Sequence, residues 1–77
     1  MEQLVQAMVS PIVDHPDEVT VRTNQGRNGE DVFMLSVHAE DTGQVIGKHG
    51  RNIKAVRTIL QAAASGTGAR PRLDIEE

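Results

Sequence analysis

Apolar residues open the chain at helical spacing: Leu4, Val5, Met8, Val9, Ile12 and Val13. Residues three and four apart share one face of a helix, so the pattern predicts a first helix from about Glu2 to Asp14. Pro11 falls inside it. Its missing N–H predicts a kink, or a restart after Ser10 acting as an N-cap. Pro16 then closes the segment. The period next changes from 3.6 to two. Val19 and Val21 alternate with Thr20 and Arg22, and Phe33, Leu35, Val37 and Ala39 alternate with Met34, Ser36 and His38. Such alternation predicts two strands, each with one apolar face. The turn-forming stretch from Asn24 to Glu30 includes Asn28-Gly29, a hairpin signal, so the strands pair antiparallel.

Glu40-Asp41-Thr42 offers capping oxygens for a short helix running to Ile46. A glycine-bounded loop, Gly47 to Gly50, separates it from a longer helix over about Gly50 to Ala64. Ile53, Val56, Leu60 and Ala63 mark the buried stripe of that helix, with Lys54 and Arg57 turned toward solvent. Ser65-Gly66-Thr67-Gly68 ends it. Leu73 and Ile75 alternate with Arg72, Asp74 and Glu76 in a last strand. A two-helix crossover joins the last two strands, so they are parallel neighbours. The expectation is an α+β fold in the order α-β-β-α-α-β: one domain over residues 1–77, with a three-stranded mixed sheet and its helices on one face.

Seventy-seven residues fit one domain that buries roughly two thirds of its unfolded surface. The chain has no cysteine, which excludes disulfides and thiolate metal sites and fits a reducing compartment. It has no apolar run of membrane-spanning length and no secretory leader pattern. A cytoplasmic location away from membranes is expected.

The formal charge of −3 argues against nucleic acid when taken as a total, but affinity for phosphate follows the local field. Lys48, Arg51, Lys54 and Arg57 are four of the eight basic residues, and no acid lies from Thr42 to Arg72. Lys48 and Arg51 lie within Val45-Ile46-Gly47-Lys48-His49-Gly50-Arg51-Asn52-Ile53, and Lys54 and Arg57 follow it. Glycines at both hinges allow a tight turn and close approach of a ligand backbone. A G-x-x-G loop of this kind clamps about four nucleotides in KH modules.

On these residues the chain resembles a type II KH domain. Asp14-His15-Pro16, the glycine segment, the helix Lys54-Ala55-Val56-Arg57-Thr58-Ile59-Leu60 and the short last strand make it similar throughout to the small stand-alone bacterial KH proteins of the KhpA family. The resemblance implies a cytoplasmic, bacterial RNA-binding protein acting as an RNA chaperone or post-transcriptional regulator. It also implies homodimers, or pairing with a larger KH protein of the Jag type, and a link to cell elongation, division and peptidoglycan homeostasis. Single-stranded RNA is the expected partner, with no enzyme activity, cofactor, metal or small-molecule substrate.

The expected RNA-binding residues are Ile46, Gly47, Lys48, His49, Gly50, Arg51, Ile53 and Lys54. Loop and first-turn amides, lacking intrahelical partners, suit phosphate oxygens. Lys48 is placed for a direct phosphate contact, and Arg51 and Lys54 continue the track. His49 offers a hydrogen bond or shape. Val45, Ile46 and Ile53 are candidates for an apolar floor beneath bases, with core packing as the plain alternative. The second strand is expected to form the groove's far edge. A nucleotide loop of Walker type fails, because Gly43 to Gly47 encloses three residues instead of four and His49 stands where Ser or Thr must hold magnesium. His15, His38 and His49 have no metal-ligand spacing. The remaining rival is a protein-interaction module using the first helix or Ile59.

Overall fold

The computed structural model describes residues 1–76. Helix α1 spans Glu2–Val9, with Val5 and Val9 fully buried. It ends earlier than the apolar spacing predicts. Pro11 has no N–H with which to extend the helix, and Ser10 closes it: both its N–H and its hydroxyl donate to the Gln6 carbonyl, at 2.9 and 2.7 Å. Ser10 is therefore a C-terminal cap rather than an N-cap. The chain turns through Ile12, and Val13 remains buried. Pro16 starts a single 3-10 turn, Pro16–Glu18, instead of ending a helix.

Strand β1 (Thr20–Gln25) pairs antiparallel with β2 (Asp31–Ser36), with Thr20 opposite Ser36 and Gln25 opposite Asp31. The expected hairpin lies between them: Gly26 N–H donates to the Glu30 carbonyl at 2.8 Å, and Gly29 takes φ +76°. Val19 is buried but precedes β1. The second strand stops at Ser36, short of the predicted Ala39. Ala39–Asp41 forms a 3-10 turn instead, capped by the His38 ring, which accepts the Glu40 N–H at 3.0 Å.

Helix α2 (Thr42–Ile46), helix α3 (Arg51–Ala64) and strand β3 (Pro71–Ile75) complete the order. The sheet runs β1-β2-β3, with β2 and β3 parallel, giving the expected mixed sheet. Val5 and Val9 of α1, Val45 of α2, and Val56 and Leu60 of α3 share one core with Phe33, Leu35 and Leu73. The α3 stripe closes on Ala64 rather than Ala63: eleven residues after Ile53 make about three helical turns. Among the described residues, no helix is long and apolar enough to cross a membrane.

Asp41 does not cap α2 as its position predicts, because its side chain makes no such bond. It is 1% exposed and reaches back across the fold. Its Oδ1 accepts the Asp14 N–H at 3.3 Å, and its Oδ2 accepts the His15 N–H at 3.0 Å and lies 3.1 Å from His15 Nδ1. The His15 ring stacks on His38 with centroids 4.0 Å apart. The bond to Asp41 lifts the His15 pKa above its ordinary value of 6.5, against a smaller opposing effect of burial. Burial alone would raise the Asp41 carboxyl. The bonds from the His15 ring and from the His15 and Asp14 amides outweigh it and hold the group below 3.8. This cluster ties the α1–β1 connection to the entrance of α2, and so to the segment leading into the glycine loop.

Candidate nucleic-acid interface

The loop is built from backbone conformations that favour glycine. Helix α2 ends at Ile46, and Gly47 takes φ 76°, ψ 171°. This region is nearly closed to residues with a Cβ. His49 (φ 58°, ψ 25°) and Gly50 (φ 74°, ψ 18°) are left-handed before α3 begins at Arg51. The turn is held by three short bonds: Gly47 N–H to Gly43 O at 2.9 Å, Gly50 N–H to Gly47 O at 3.1 Å, and Arg51 N–H to Lys48 O. Among the described residues, the amides of Lys48 and His49 donate to no protein acceptor.

Lys48 and His49 are exposed at the tip, and Gly47 and Gly50 are half-buried beneath them. Arg51 and Lys54 are exposed on the first turns of α3. A Cβ built on Gly50 would meet nothing closer than Ile53 Cγ2 at 3.9 Å and Lys54 Cε at 4.0 Å, so the stem of Lys54 lies alongside the second hinge. Among the described residues, no carboxylate pairs with Lys48, Arg51 or Lys54. Of the expected apolar floor, only half-buried Ile46 reaches the surface. Val45 is fully buried and Ile53 is 7% exposed, so both pack in the core.

Strand β2 is central and has a partner on each side, so it presents no open backbone edge. Strand β3 does. Arg57, Leu60 and Gln61 of α3 face Pro71 to Asp74 across a cleft. Gly50, Lys54, Arg57 and Gln61 lie at intervals of four, three and four, and so share one side of α3. That side leads from the loop into the cleft. Arg57 is not simply turned to solvent. Its Nε and Nη2 donate to the Leu73 carbonyl at 3.1 and 3.0 Å. The backbone N–H and C=O of Leu73 face the open edge of β3, because Asp31 N–H bonds to Arg70 O and Glu76 N–H to Leu35 O and the alternate residues turn these groups away from β2.

One further residue escaped the sequence reading. Asn52 Nδ2 donates to the Gln44 carbonyl at 2.7 Å, joining the first turn of α3 to the last turn of α2. The only local hint was an amide side chain two residues after the second glycine.

A family profile described as KhpA/KhpB, KH domain, matches residues 2–75. The chain is 43% identical to the RNA-binding protein KhpA of Listeria monocytogenes serovar 1/2a, over the whole of both chains. It is 45% identical to the protein of that name from Halalkalibacterium halodurans, over 97% of each. The match to that of Bacillus subtilis strain 168 is 40% identical and covers 97% of this chain and 91% of the relative. With the α-β-β-α-α-β order and the glycine loop between α2 and α3 already evident, these full-length matches place the chain in the KhpA/KhpB family of KH-domain proteins.

Proposed function

We propose that the chain binds single-stranded RNA, gripping about four nucleotides along the Gly47–Gly50 loop and the cleft between α3 and β3. The observation that carries this is the loop tip. Among the described residues, two amides without protein acceptors stand beside cations without carboxylate partners. Such an arrangement suits phosphate oxygens and offers nothing to a reacting bond. The relatives' description as RNA-binding proteins supports it. The role is that of an RNA chaperone or post-transcriptional regulator serving cell elongation, division and peptidoglycan homeostasis, without catalysis.

Fluorescence polarisation on a short unstructured RNA tests the reading. Neutralising two or three phosphates gives log affinity a slope of about −1.5 to −2 against log salt, and a duplex of the same length binds more weakly. Binding that ignores salt, or none at all, would end the proposal.

Ile59 favours a second activity. It is 49% exposed on α3, with exposed Ala55, Ala62 and Ala63 around it. This small-sided face fits another protein chain: a second copy, or the larger Jag-type KH partner. Light scattering is expected to show twice the chain mass, and Ile59→Asp to return it to one. A monomer at all concentrations, with no Jag-type complex, would remove this reading.

A further inference from the structure

We infer that Asn52 is the positioning residue of the loop: it locks the two helices at the angle that presents the Lys48 and His49 amides outward. This rests on the RNA-binding reading and extends it. Helix α2 has only five residues, and the last four carbonyls of any α-helix lack intrahelical donors. Asn52 takes one of them, Gln44 O, at 2.7 Å. The bond spans eight residues and bridges the turn from outside, whereas the three bonds within the turn connect near neighbours.

Asn52 adds a second demand for glycine at this hinge, beside the backbone angles of Gly47. A Cβ on Gly47 would fall 2.7 Å from Asn52 Cγ, 2.9 Å from its Cβ and 2.9 Å from its backbone nitrogen. Asn52 therefore fills the space that a side chain at Gly47 would need. The two residues interlock, and the hinge cannot swing without breaking the bond to Gln44. Asn52 is exposed and outside the apolar core. Losing its amide leaves Gln44 O to water at little cost to the fold. What is lost is the fixed geometry of the turn, and a ligand must then supply the ordering.

Asn52→Ala and Asn52→Asp test this. Aspartate keeps the size but has no donor for a carbonyl. Amide exchange by NMR is read first, because it needs no RNA. In both variants, the Gly47, Gly50 and Arg51 amides are expected to exchange about fivefold faster or more, with core amides and Tm unchanged. Affinity for single-stranded RNA is expected to fall about five- to tenfold in Asn52→Ala and further in Asn52→Asp, where a negative charge joins the phosphate track. Unchanged loop exchange in both variants overturns the inference, as does wild-type RNA affinity in Asn52→Ala. Faster loop exchange in a protein whose wild type binds no RNA would uphold the lock and reject the RNA reading, so the two fail separately.

Discussion

Replacing Lys48 and His49 together with aspartate is expected to cost at least about 100-fold in affinity for single-stranded RNA and to leave the fold intact. The loss has two parts. One lysine bond to phosphate disappears, and a charge-assisted bond of that kind contributes about 1.5–3 kcal/mol. Two carboxylates then stand on the proposed path of the nucleic-acid backbone, and like charges at close range repel. The salt slope is expected to flatten by about 0.7 for each phosphate that the variant no longer neutralises on a single strand. The fold survives because both side chains are exposed and belong to no buried cluster. His49 sits at φ 58°, a left-handed conformation that aspartate adopts more readily than most residues. Thermal unfolding and polarisation on the same samples check the result. A double variant with native Tm and undiminished binding would move the RNA site off the loop and leave the α3 face as the functional surface.

Asp41→Asn is expected to give the largest loss of stability of any single polar substitution, with Tm lower by about 10 °C. The carboxylate is buried and serves two backbone donors and one ring. An asparagine has one acceptor oxygen, so its NH₂ must face a donor. The pH dependence follows from the two shifts. Asp41 is depressed, so its contribution is present above its ordinary 3.8 and is lost as pH falls through the lower folded value. His15 is raised, so its contribution is complete below 6.5 and is lost as pH rises through the higher folded value. Both are complete between 3.8 and 6.5. The wild-type Tm profile is therefore expected to crest in that window, and the Asp41→Asn profile to lack the crest. Parallel profiles across the whole range would show that the carboxylate does not anchor the connection.

These two results probe features of unequal visibility in the sequence. The loop was legible because its signal is local: two glycines, a lysine between them and branched residues outside them occupy adjacent positions. Strand alternation and the α3 stripe were legible for the same reason. The Asp41 anchor was not, because its partners lie 26 and 27 residues away and an acid before a short helix reads equally well as a cap. The end of α1 is not legible in the spacing, because Ile12 and Val13 keep the helical period and stay partly or fully buried after the helix has stopped at Val9. Spacing records which side chains face the core, not whether the backbone between them is helical. That the second strand has no open backbone edge follows from two pairings, antiparallel to the first strand and parallel to the last, which make it central. Arg57 looked like a solvated cation because the carbonyl it holds lies sixteen residues away on another element.

That hold on the Leu73 carbonyl also bears on solubility. An exposed strand rim is a template on which another molecule's strand can add. Here the rim begins with Pro71, which has no N–H to offer, and its Leu73 oxygen is already occupied by a guanidinium. An incoming segment finds neither a donor at the first outward position nor a free acceptor at the second. The β3 rim is thus blunted at two adjacent outward positions, one of them by the same arginine that lines the cleft.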